Sequence, residues 1–214
     1  SRSSYSNSLE DLCRLESILL RREKIMFINK SNISEQLKGF RSGKPFNHCV
    51  IDDFFDLKVA KNLDLEFPSY DSSDWFVYNN AIENKKASNN WNIFPSMTYR
   101  VLSYLCSTEF ARYLSEAIDE TLYPDIGLHG GGWHIHSNGG NLNPHLDYSI
   151  HPKLKLQRKL NLIVYLSESM TQEMGGVFGV WADDNHSPGE LIRSVAPLFN
   201  RAVIFDTTQN SWHG

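Results

Sequence analysis

From Gly127 onward the chain stops reading as helix and starts reading as short strands. Gly127, Gly130, Gly131, Gly132, Gly139 and Gly140 crowd into one stretch. Glycine disfavours helix because it loses more backbone freedom on ordering than any other residue. Short β-type runs follow at 133–136, 146–150, 160–166, 177–181, 190–194 and 201–205, with Gly, Pro, Asn and Asp between them. Such a series predicts an antiparallel sandwich or jelly roll.

The first half has another texture. Apolar residues recur at helical spacing from Leu9 to Ile25, with Ser8 as N-cap. Gly39, Gly43 and Pro45 predict a break over 31–45. A strand is expected in FNHCVIDDFFD at 46–56, then a helix over 56–66 that ends before Pro68. Residues 68–98 are rich in aromatics and Asn without clean periodicity, which predicts an irregular segment and a candidate lid. Helices are expected over 99–122, split near Ser107 and Thr108. The fold class is therefore α+β: a double-stranded β-helix (jelly roll) core with N-terminal helices packed on one face. Residues 1–44 read as an N-terminal helix and polar lead-in, and residues 45–214 as the main domain.

Composition excludes several functions. A net charge of −4 argues against a broad nucleic-acid-binding face. No apolar run reaches the length of a membrane span, and no signal peptide is visible. Cys13, Cys49 and Cys106 are widely spaced and odd in number, which predicts reduced thiols in a cytoplasmic protein.

The chemistry concentrates in LNPHLDYS at 142–149. In an extended segment His145 and Asp147 project to one side, because side chains alternate faces. His213 follows a strand and a polar turn that could deliver it beside the pair. Two histidines and one carboxylate, with other positions open, form the ligand set of non-heme Fe(II) oxygenases. His134 and His136 share a strand face and are candidate substrate contacts, as is Asn80 in the polar run before Trp91. His151 and His186 read as surface residues, and Tyr148 as a packing residue.

The motifs PFNHCVIDDFF (45–55), LNPHLDYS (142–149), RKLNLIVYLSES (158–169), GGVFGVW (175–181), APLFNRAVIFD (196–206) and NSWHG (210–214) occur in one order. In that order the chain resembles the 2-oxoglutarate- and Fe(II)-dependent oxygenases, in the branch like prolyl 4-hydroxylases. The resemblance implies that His145, Asp147 and His213 bind Fe(II), and that Tyr165 and Asn161 line the 2-oxoglutarate pocket. It implies Fe(II), 2-oxoglutarate and O2 as the reaction's partners, with ascorbate as an accessory. Halogenating relatives have a small residue where Asp147 stands, so the retained aspartate implies hydroxylation of a C–H bond or a related oxidation, not halogenation. The substrate would be a prolyl residue of a peptide or protein, or a small metabolite.

One departure from the family stands out. Relatives anchor the far carboxylate of 2-oxoglutarate with an Arg or Lys on the strand after the distal histidine. Here Gly214 follows His213 directly, so the closing strand is expected to be missing, the chain to be a fragment and His213 to be mobile. Arg158, Arg193 and Arg201 are substitutes without positional support. Two other functions stay open: a catalytically impaired jelly-roll binding module that lacks the anchor, and a cupin-type metal-dependent enzyme that uses His134 and His136 as well. A zinc hydrolase is disfavoured, because no HExxH helix is present.

Overall fold

The computed structural model describes residues 26–214. The helix expected over 9–25, and Cys13, lie outside them. The first described helix, α1 (Lys30–Leu37), starts at Asn29, whose side chain accepts a hydrogen bond from the Asn32 amide. It falls where a break was expected, and the break comes just after it, at a 3-10 turn over Phe40–Ser42. Strand β1 (His48–Ile51) leads into α2 (Leu57–Glu66), capped by Asp56 and ended before Pro68 as expected. The next two helices are α3 (Ser96–Leu105) and α4 (Thr108–Ile118). They part at Ser107, whose hydroxyl accepts from the Phe110 amide at 3.2 Å. Such a cap is worth about 1 kcal/mol.

Strand β9 (Ala202–Asp206) is the centre of the molecule. It runs antiparallel between β1 and β6 (Leu160–Val164). Successive side chains go to opposite faces. Ala202 and Ile204 join Cys49, Ile51, Leu160 and Leu162 against the helices. Val203 and Phe205 turn the other way and meet Phe178, Val180 and Val195. Those three belong to the hairpin of β7 (Phe178–Asp183) and β8 (Pro188–Val195). The layers are thus helices, a three-stranded sheet and a second sheet. Ile28, Ile33, Leu37 and Phe40 pack in the helix-side core, so the packed body begins before residue 45.

Residues 68–98 are more regular than their sequence suggests. Strands β2 (Phe76–Asn79) and β3 (Glu83–Ser88) form a hairpin, and β3 also pairs with β4 (Trp133–Ile135) and β5 (Asn141–Leu142). The sequence ENKKAS of β3 has no apolar alternation, so pairing on both sides decides its conformation. Trp75, Phe94 and Trp133 pin this sheet from one side. The strand expected over 146–150 does not form. His145 bridges to His213 and Ile150 to Gln157, and the chain between them is a loop. Among the described residues no strand pairs with the side of β6 turned away from β9.

Candidate metal centre

His145, Asp147 and His213 come together from three different constraints. His145 exchanges backbone hydrogen bonds with His213 in both directions, at 2.9 and 3.2 Å. Gly214 does the same with Gly179 of β7, and Trp212 accepts from the Trp181 amide. Residues 212–214 therefore bridge β7 and the segment at 145. This corrects the expectation that His213 is mobile: it is 3% exposed and paired on both sides.

One ligand atom from each of the three side chains lies within 4.8 Å of the others. His145 Nε2 is 3.9 Å from Asp147 Oδ1, and His213 Nε2 is 3.7 Å from Asp147 Oδ2. In both imidazoles Nδ1 faces a backbone carbonyl: Asn143 O at 2.9 Å and Ser211 O at 2.8 Å. A proton on Nδ1 satisfies each carbonyl and leaves the Nε2 lone pair aimed at the centre. That arrangement, a second hydrogen bond fixing the tautomer, is how ligating histidines are oriented. Burial lowers the pKa of His213 to about 4, against an opposing pull from Asp147, so it stays neutral at pH 7. Phe178 and Phe205 wall its ring, with centroids 5.8 and 4.5 Å away. Two neutral imidazoles and one carboxylate on one side of a point fit a divalent metal that keeps open positions.

The triad lies in a cleft of about 2390 Å3. Asn161 and Tyr165 open onto it from the inward face of β6 and its extension. Tyr165 is held by its backbone, which donates to Arg201 O and accepts from the Asn200 amide. Burial pushes its phenol pKa well up, so the hydroxyl remains a donor. The Asn161 amide donates to Asp147 Oδ2 at 3.3 Å. Its first contact is the carboxylate, where the sequence pointed to co-substrate.

His134 and His136 line the same cleft and are solvent-accessible. Asn80 does not line it. The Asn80 side-chain oxygen accepts from the Ile82 and Glu83 amides and so builds the turn between β2 and β3. His151, expected at the surface, is buried. Its Nδ1 accepts from the Lys153 and Leu154 amides, and Nε2 faces Asp125 at 3.4 Å. His186 is exposed as expected. Tyr148 is half-buried, with the Arg158 guanidinium 4.5 Å above its ring.

The three arginines considered as anchors all have partners. Arg158 Nη2 is 3.3 Å from Asp147 Oδ2. Arg193 Nη1 reaches His48 Nε2 at 3.1 Å. Arg201 forks onto both oxygens of Asp52, at 2.6 and 3.0 Å. The partnership of Arg158 with Asp147 was missed in the sequence. Arg158 shares the strand parity of the helix-facing Leu160, but it lies ahead of β6 in irregular backbone, where that parity does not hold.

Two histidines and one carboxylate converging in an open cleft match the ligand set of mononuclear non-heme oxygenases. Comparison with known proteins agrees. Residues 131–214 match the model of the 2OG-Fe(II) oxygenase superfamily. It is 24% identical over 178 residues to mouse (Mus musculus) prolyl 3-hydroxylase OGFOD1, covering 79% of this chain and 29% of that one. The chain thus spans under a third of that curated relative. A prolyl-4-hydroxylase from Pseudomonas putida has a similar fold, with a TM-score of 0.58 and 13% identity over 85% of this chain and 89% of the other. A Trichoplax adhaerens prolyl hydroxylase in complex with a hypoxia-inducible-factor peptide aligns with a TM-score of 0.47 and 15% identity, over 86% and 82%. Among the described residues no helix is long and apolar enough to cross a membrane.

Proposed function

We propose that this chain is an Fe(II)/2-oxoglutarate-dependent dioxygenase that hydroxylates a C–H bond, and that its core is the double-stranded β-helix of that family. The observation that carries the reading is the convergence of His145, Asp147 and His213 in a cleft that also holds Tyr165. When bound, Fe(II) with 2-oxoglutarate and O2 supplies the oxidising chemistry, and ascorbate would keep the iron reduced. The chain's own residues do the rest. His145 and His213 present fixed Nε2 lone pairs, and Asp147 presents a carboxylate. Phe178 and Phe205 keep water from the far side of His213. Tyr165 offers its hydroxyl to a carboxylate of the co-substrate. His134 and His136 stand on the cleft wall where substrate would pass. A prolyl residue in a peptide or protein is the substrate class favoured by the named relatives. A cytoplasmic setting goes with the free thiols of Cys49 and Cys106. The test is succinate and CO2 release from 2-oxoglutarate with Fe(II) and a proline-containing peptide pool. His145→Ala and Asp147→Ala should each abolish it. Retained release in either variant would sink the assignment.

A second reading has one observation behind it. Lys85, Arg158 and Lys159 line the cleft, and each already faces a carboxylate: Glu83, Asp147, and the pair Glu120 and Asp206. No other Lys or Arg lines the cleft among the described residues. A binding module that holds metal but turns over no 2-oxoglutarate would look the same. It predicts metal binding without succinate at saturating 2-oxoglutarate.

A further inference from the structure

We propose that Arg158 and Asn161 are positioning residues that pin Oδ2 of Asp147, so that the carboxylate offers a divalent metal Oδ1 alone. The inference rests on the assignment of Asp147 as a metal ligand and concerns how that ligand is held.

A carboxylate can give a metal one oxygen or two, and an ionised one has about four lone-pair sites to satisfy. Two oxygens would take an extra position on the metal, and this site works by keeping positions open. In the structure the two oxygens of Asp147 have different surroundings. Oδ2 meets Arg158 Nη2 and Asn161 Nδ2, each at 3.3 Å, and lies 3.7 Å from His213 Nε2. Oδ1 has no hydrogen-bond donor among the described residues and lies 3.9 Å from His145 Nε2. The Asn161 hydrogen bond uses one lone pair of Oδ2, and the Arg158 guanidinium beside it holds the charge of that oxygen away from a second metal bond.

Both partners are themselves held. The Arg158 guanidinium lies over the Tyr148 ring at 4.5 Å. The Arg158 amide donates to Ser149 O, and its carbonyl accepts from Thr207 Oγ1, both at 2.8 Å. Asn161 sits in β6, paired with Phe205 of β9. One partner thus comes from the irregular segment ahead of β6 and the other from the sheet, and they meet on one oxygen. Arg158 and Asp147 are also both mostly buried, with side chains 16% and 13% exposed, so the ion pair is little screened.

The test uses Co(II) as a spectroscopic stand-in and Mn(II) for calorimetry, without turnover. The proteins are wild type, Arg158→Gln, Arg158→Lys, Asn161→Ala and His145→Ala. Removing an outer partner of a metal ligand typically weakens metal binding by about 10-fold or more. That loss is expected for Arg158→Gln and Asn161→Ala, with weaker Co(II) visible bands as coordination number rises. Arg158→Lys keeps a charged donor and should recover most of both signals, which a mere packing role would not produce. Asn161→Ala perturbs a different element, so misfolding of one variant leaves the other informative. Wild-type affinity and spectrum in Arg158→Gln and Asn161→Ala overturn the inference while the metal site stands. Failure of wild type to bind Co(II) or Mn(II) any better than His145→Ala overturns the metal site, and the inference with it.

Discussion

His48 and Arg193 meet across the two sheets, Nε2 to Nη1, at 3.1 Å. His48 Nδ1 faces Phe46 O at 2.9 Å. The neutral ring with its proton on Nδ1 satisfies both partners. A second proton on Nε2 would confront the guanidinium.

That contact gives a pH dependence with a definite sign. Burial, with a further push from Arg193, lowers the His48 pKa below its ordinary 6.5 in the folded chain. The unfolded chain therefore takes up the proton first as pH falls. Stability is fully present above pH 6.5 and declines from there toward the lowered folded pKa. His213 acts with the same sign. Urea midpoints measured between about pH 5 and 7 should fall with acid, and His48→Gln should flatten the slope. An unchanged slope in that variant would remove His48 from the account.

Tyr165→Phe separates binding from chemistry. A hydrogen bond to a charged group is worth about 1.5–3 kcal/mol. Losing the hydroxyl should raise the KM for 2-oxoglutarate by about 10-fold or more and leave kcat nearly intact. An unchanged KM would take Tyr165 out of the co-substrate pocket.

Phe205→Ala tests the wall behind His213. Phe205 is fully buried, with Phe178 5.2 Å away between centroids and His213 4.5 Å away. Truncating such a ring costs about 3–5 kcal/mol. Its neighbour Ile204 faces the helices, and Ile204→Val should cost about 0.5–1.5 kcal/mol. Only Phe205→Ala should also weaken Mn(II) binding in calorimetry.

Two glycines make a controlled pair. Gly132 has φ +93, and a Cβ there would sit 2.3 Å from Ser88 O. Gly139 has φ +78 but nothing within 4 Å. Alanine at Gly139 meets the backbone penalty alone, about 1–2 kcal/mol. Alanine at Gly132 must also push β4 from β3, so its melting temperature should drop further. Equal drops would show that the β3–β4 junction gives way freely.

Legibility in the sequence followed locality. Ser107 marked the helix break because a cap works through the next few residues. Leu160 to Tyr165 showed its two faces because strand parity is a local rule. His145 and Asp147 were found together, although the strand expected to hold them is a loop. The misses depend on distant partners. β3 is ordered by β2, β4 and β5, His151 by its own loop and Asp125, and Asn80 by a hairpin turn the irregular texture hid. Arg158 needed the position of Asp147 before its role could be seen.

The pairing of His213 with His145 has a practical consequence. A metal shared by these side chains ties the 212–214 segment to the loop at 145–147, and so acts as a removable cross-link between distant parts of the chain. Any ion that binds only the folded form adds stability that grows with the logarithm of its excess over Kd, about 2.7 kcal/mol at a 100-fold excess. The melting temperature then reports binding at this site: it should rise with Mn(II), fall back with chelator and stay still in His145→Ala. Metals can thus be ranked at this centre before any substrate is known.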